Sequence, residues 1–163
     1  MIEFYSPKDK YGFLSNFYEA VFELEGQPWL TVEHFYQASK AVHPEERQRI
    51  ADAATPGLAK KLGRKCECWP DWEASVGTSH LHDKFRDEQG VVVELAKDHF
   101  MFSALISKFT QRKDLREALR STGDEPLVEK SPTDYYWGIG EDGTGLNKLG
   151  RMLQLVRASL PTD

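Results

Sequence analysis

At 163 residues, with 40% hydrophobic and 29% charged side chains, the chain has the makeup of one globular domain with an ordinary core. No apolar run nears the roughly 20 residues of a membrane span, and no basic-then-apolar leader opens the chain, so a cytoplasmic protein is expected. A net charge of −5 argues against a broad nucleic-acid-binding face but permits a local basic pocket for one or two phosphates.

Ile2 to Tyr5 reads as a short strand, and the aromatic stretch Tyr11 to Tyr18 as a loop pinned by its rings. Ala20 to Leu24 and Pro28 to Leu30 flank Glu25-Gly26-Gln27 as a hairpin. Thr31 then caps a helix through Val42, with Phe35, Ala38 and Val42 as its buried stripe. Pro44 and Pro56 suit the first turns of two further helices, the second capped by Thr55. Trp69-Pro70 breaks the pattern, and Glu73 to Asp98 shows little periodicity. Helices follow from Val92 to Phe109 and from Asp114 to Leu119, then a strand at Leu127-Val128-Glu129. A last helix runs from Leu146 to Ser159 on Leu149, Leu153 and Val156. The expected fold is a helix-rich α+β single domain, residues 1–163, with a small antiparallel sheet.

Three groups of residues carry chemistry. Gly138, Gly140, Gly143 and Gly145 follow Trp137 and open onto the last helix. Such a loop serves as an anion cradle at a helix N-terminus, beside a stacking plate and the Asp134 carboxylate, or simply as a turn capping that helix. Second, Glu33, Tyr36, Gln37 and Lys40 share one helix face, opposite the core stripe. Glu33 and Lys40 stand about 10 Å apart along the axis, a span that suits a small ligand lying across Tyr36 and Gln37, or an ordinary solvated face. Third, Cys66, Cys68, His80 and His82 form a CxC…HxH set. Its spacing departs from the usual zinc pattern, so unpaired thiols and solvated histidines are the expectation.

Taken in order, Tyr5, Tyr11-Gly-Phe-Leu-Ser-Asn-Phe17, Glu33-His-Phe-Tyr-Gln-Ala-Ser-Lys40, Gly63-Arg64, Trp72-Glu73 and Asp134-x-x-Trp137-Gly-x-Gly-x-x-Gly-x-Gly-x-Asn147-x-Leu149-Gly150 resemble the NADAR (YbiA-like) family. The resemblance spans nearly the whole chain and implies an N-glycosidase without a cofactor. Members of the family are linked to removal of ADP-ribose from guanine, opposing DarT-type toxins, or to hydrolysis of phosphoribosylamino-pyrimidine intermediates of riboflavin synthesis. The partner it implies is therefore an ADP-ribosylated guanine nucleotide or single-stranded DNA, or a small phosphoribosylated pyrimidine.

By matching position the resemblance implicates Glu33, Lys40 and Asp134 in catalysis. Asn16, Tyr36, Arg64, Trp72, Trp137, the four glycines and Asn147 would bind substrate. Two departures bear on substrate choice: Ala41 follows Lys40 where the family often has an aromatic, and the stretch from Trp72 to Lys108-Phe109 is longer than usual. Glu33 or Asp134 could stabilise an oxocarbenium ion and deprotonate water. Alternatively Lys40 could displace the base by amine exchange through a Schiff base. Each binding residue also has a plainer use. Trp72 could be core, Arg64 a basic helix end, and Asn16 and Asn147 backbone caps. Two other classes stay in view: a non-catalytic ADP-ribose-binding module and a zinc hydrolase.

Overall fold

The computed structural model describes residues 1–76 and 85–162. In chain order it contains β1 (Ile2–Phe4), β2 (Phe22–Leu24), β3 (Gln27–Trp29), α1 (Val32–Ser39), α2 (Pro44–Ala51), α3 (Pro56–Lys65), β4 (Arg86–Asp87) and β5 (Gly90–Val91). The long α4 (Ala96–Gln111), α5 (Lys113–Arg120), β6 (Leu127–Glu129) and α6 (Lys148–Ser159) complete it. The architecture is mixed α+β and helix-rich. No helix among the described residues is long and apolar enough to cross a membrane.

The strands pair in twos. The expected hairpin is β2–β3, turned by Glu25 and Gly26, both at positive φ (54° and 78°), as a tight hairpin requires. A second antiparallel pair joins β4 and β5. The pair that local pattern could not reveal is β1 with β6, which is parallel and sets Ile2 opposite Leu127 and Phe4 opposite Glu129. Parallel strands run out at the same edge, so the segments after Phe4 and after Glu129 leave the ladder side by side.

Helix starts follow their caps. Thr31 Oγ1 accepts from His34 N at 3.2 Å, and Thr55 Oγ1 from Leu58 N at 3.1 Å. Three of the boundaries that differ from the sequence expectation have a visible local cause. α1 stops at Ser39, because the Val42 N–H turns away to Glu67 O. α4 starts at Ala96 rather than Val92: the Val92 N–H pairs with Phe85 O, both Val92 and Val93 drop into the core, and Asp98 takes the Glu94 and Leu95 N–H groups at the helix start. α6 starts at Lys148, since Asn147 is left-handed at φ 50°.

α4 is the central helix and packs against α1, α5, α6 and β2. Met101, Leu105 and Phe109 on it are buried together with Phe4, Trp29 and Phe35. Among these apolar residues Lys108 is also fully buried. Its ammonium donates to Phe13 O at 2.7 Å and Ser15 O at 3.2 Å, and burial lowers its pKa to about 7. The loop it holds continues into Asn16, whose carbonyl accepts from Glu33 N at 3.1 Å at the start of α1. Urea unfolding is expected to show Lys108→Met less stable by about 2–4 kcal/mol, the cost of two buried carbonyls left unpaired. A variant as stable as the parent would mean that those carbonyls find other donors.

Candidate active site

A cavity of about 670 Å³ opens at the edge where β1 and β6 run out. Tyr5, Ser6 and Pro7 reach it from β1, and Glu129, Ser131 and Asp134 from β6. The turn at Ser15–Phe17, helix α1 and helix α3 make its other walls.

Every residue of α1 is buried, so the face carrying Glu33, Tyr36 and Gln37 is no solvated surface; it lines the cavity. α3 closes over this face at Gly63, where a Cβ would collide with the Gln37 side chain. Gln37 Nε2 donates to Glu33 Oε1 at 2.7 Å. Burial raises the Glu33 pKa against the pull of that hydrogen bond, Lys60 and Lys40. Lys40 caps the helix with its amine 5.2 Å from the Tyr36 ring centre. Burial lowers its pKa, and Glu33 nearby opposes the change. Lys60 and Arg64, one turn apart on α3, add two more cations to the same cavity.

Asp134 is tied into its own loop. Its Oδ1 accepts from Tyr136 N at 2.9 Å and Trp137 N at 2.8 Å, an Asx turn that aims Trp137 inward. Trp137 meets Tyr36 edge to face, ring centres 5.5 Å apart. Behind it the Tyr136 hydroxyl donates to the buried Asp98 at 2.5 Å, and Lys97 stands 3.8 Å from the Tyr136 ring centre. Asn16 also lines the cavity, held by a 3.4 Å contact from Nδ2 to Met101 Sδ, with its Oδ1 buried and unpaired in the protein.

The fold therefore brings together Glu33, Lys40, Asp134, Asn16, Tyr36, Arg64 and Trp137. Six other sequence-predicted residues do not line the cavity. Trp72 is buried behind Tyr36 (5.4 Å) and stacks on Phe100 at 5.3 Å and 25°, so it supports the wall. Gly138, Gly140, Gly143 and Gly145 form no open anion cradle. The loop bonds to itself through Gly140 N to Asp134 O, Gly145 N to Ile139 O and Asn147 N to Gly138 O. Side chains at Gly138, Gly140 or Gly145 would collide with Glu129, the Tyr135 ring or the backbone at Gly138 and Ile139, so close packing within the protein requires these glycines; Gly143 needs its positive φ of 78°. Asn147 spends its side chain on β6, accepting from Glu129 N and donating to Leu127 O, both at 2.9 Å.

Two charged cavity residues carry no assignment in the sequence analysis: Lys60, hidden in a run of basic residues, and Glu129. Burial and the neighbouring Asp134 raise the Glu129 pKa to about 7. The available signal was an acidic residue closing a strand five positions before Asp134. Cys66 and Cys68 carry free thiols. His80 and His82 lie outside the described residues, and among those described no group of three or more His, Cys, Asp or Glu could hold a metal ion.

Residues 3–161 match the model of the NADAR domain. The chain is 38% identical to an N-glycosidase of Nostoc punctiforme over 98% of its own length and 92% of that protein. It is 33% identical to N-glycosidase YbiA of Escherichia coli over its full length and 90% of that protein. A riboflavin biosynthesis protein of Vibrio vulnificus is also 33% identical, but the chain covers only 38% of it. The NMR structure of E. coli YbiA superposes with a TM-score of 0.77, covering 96% of this chain and 82% of that one.

The placement of the two asparagines separates their roles. Asn147→Ala is expected to lower folding stability by about 2–3 kcal/mol, because two β6 backbone groups lose their partners. Asn16→Ala is expected to leave the melting temperature nearly unchanged and to act on substrate affinity. Calorimetry on both variants, alongside KM, checks the assignment; an Asn147 variant of unaltered stability but raised KM would reverse it.

Proposed function

The chain belongs to the NADAR family and is an N-glycosidase; we propose that it cleaves the bond between ribose C1 and an exocyclic amine of a base, with ADP-ribosylated guanine as substrate. The observation that carries this reading is the polarity of one cavity. Carboxyl groups of Glu33 and Asp134 share it with the cations Lys40, Lys60 and Arg64, and Trp137 and Tyr36 offer aromatic surface between. Cations suit phosphates, with Arg64 able to clamp one bidentately. Aromatic surface suits a base, and stacking contributes about 1–3 kcal/mol per base. Carboxyls suit a carbon that becomes cationic as its bond to nitrogen breaks. With Lys40 at the ribose, Lys60 and Arg64 are two further cations, which fit a pyrophosphate better than a single phosphate. In a cell, such an activity would oppose a DarT-type toxin.

Lys40 is the nucleophile in this reading. Half-burial over the Tyr36 ring lowers its pKa, which favours the neutral, nucleophilic form of the amine. Once the ribose ring has opened to the imine, that amine adds to C1, the base amine leaves, and water hydrolyses the lysine Schiff base. Glu33, whose pKa burial raises, moves the protons of ring opening and release. A second reading, cleavage of a phosphoribosylamino-pyrimidine, draws on the riboflavin name of the V. vulnificus relative. It needs only one of the phosphate positions.

Mass spectrometry after incubation with an ADP-ribosylated guanine oligonucleotide and, separately, phosphoribosylamino-uracil tests the reading. Free ADP-ribose from the first is the expected product. Product from the second alone would transfer the assignment to metabolite clearance, and silence from both, with folded protein, would leave a binding module. Lys40→Ala and Glu33→Gln should each lower kcat by about 10²–10⁴-fold. Cyanoborohydride during turnover should leave a sugar adduct on Lys40; an unlabelled Lys40 would favour direct attack by water.

A further inference from the structure

We propose that Glu129 is a further catalytic carboxyl, the acid that delivers a proton to the base amine as it leaves C1; this rests on the N-glycosidase reading above. Glu129 closes β6 and lines the cavity. The charged groups acting on it are Asp134 from the following loop, Glu33 from α1 and Lys60 from α3. Three carboxyl groups crowd one partly enclosed space, and such a cluster holds back at least one proton near neutrality.

Hydrogen bonding decides where that proton sits. Asp134 Oδ1 already accepts two backbone N–H groups. Glu33 Oε1 accepts from Gln37 and has both Lys60 and Lys40 to stabilise its charge. Glu129 Oε2 is buried and receives no protein donor. Of the three, Glu129 therefore has the least to lose by keeping its proton, and its pKa near 7 agrees.

The conspicuous glycine motif has a purpose on this view. Gly138 packs directly against Glu129 Oε2, where any Cβ would collide with it. Asn147 Oδ1 accepts from Glu129 N at 2.9 Å, and Glu129 O accepts from Ile139 N at 3.0 Å. The loop that reads as a phosphate cradle is a bracket that fixes one carboxyl group from both sides of its backbone.

In the adduct of Lys40 with C1, the lysine nitrogen's lone pair forms the C=N bond while the bond from C1 to the base nitrogen breaks. The released electron pair stays on the base nitrogen, which takes the Glu129 proton and departs as an amine. Water then adds to C1 of the Schiff base and gives a proton to the Glu129 carboxylate, restoring the acid. As the C1–Nζ bond breaks, Glu33 gives its proton to Lys40 and takes the C1 hydroxyl proton, so that C1 becomes the aldehyde of the released sugar.

The test is the pH profile and melting curve of Glu129→Gln beside the parent, on the substrate that the parent turns over. A general acid must be protonated, so parental kcat should fall as pH rises through about 7. Glu129→Gln should lose about 10²–10³-fold in kcat and lack that limb. Glu129 has a pKa raised above its ordinary 4.5, so the folded parent loses stability as pH rises from about 4.5 to about 7. Glu129→Gln should accordingly match the parent's melting temperature at pH 4 and exceed it at pH 8, the opposite of losing a structural carboxylate. Gly138→Ala, which displaces the carboxyl, should lower kcat more than it raises KM. Near-parental kcat in Glu129→Gln with the limb intact would overturn the role of Glu129 and leave the N-glycosidase reading standing. A parent inert on both substrates would overturn the two together.

Discussion

A three-residue strand gripped on both edges sets up the rest of this molecule. β6 has β1 along one edge, in parallel register, and the Asn147 side chain along the other, which pairs with its backbone as a neighbouring strand would. Gly150, one turn into α6, lets the helix close directly onto the Leu127 carbonyl, where any side chain would collide. With both sets of backbone groups satisfied, so short a strand can still define a direction. That direction delivers Glu129, Asp134 and Trp137 to the same cavity as Tyr5 and Ser6.

The opposing wall is organised by burial of groups that ordinarily stay in water. α1 is enclosed on all sides yet carries Glu33 and ends at Lys40. Enclosure raises one pKa and lowers the other, moving both toward neutrality. A carboxyl that can hold a proton and an amine that can lose one are the groups that acid-base and nucleophilic chemistry need. The helix tolerates this because Gln37, Lys60 and the facing rings satisfy part of what water would supply.

Two lysines show how the same burial serves different ends. Lys108 is fully enclosed, with its amine committed to two carbonyls, and it fixes the loop that leads to Asn16 and Glu33. Lys40 is half-enclosed and has an aromatic face rather than a carbonyl beside its amine. The first holds a wall in place; the second is left able to react. Asp98 repeats the structural pattern beneath Tyr136, where Lys148 reaches it at 3.3 Å.

The sequence by itself determined whatever depends on neighbours in the chain. Thr31 and Thr55 mark helix starts because a cap needs only the next turn, and Gly26 marks its hairpin because glycine adopts positive φ without steric cost. The ordered motifs likewise identified the family, and with it Glu33, Lys40, Asp134 and Trp137 in one cavity. What the tertiary structure decided was which groups face each other across long separations. Gly138 signals that something comes close, but local spacing cannot say whether it is a phosphate or Glu129. Trp72 has the chemistry of a stacking plate, and only the position of Phe100 makes it a support. Glu129 looks like an ordinary strand residue until the parallel pairing of the first and sixth strands carries it to Asp134 and Glu33. Burial, like-charge crowding and parallel register are properties of distant segments meeting, and no window of neighbouring residues contains them.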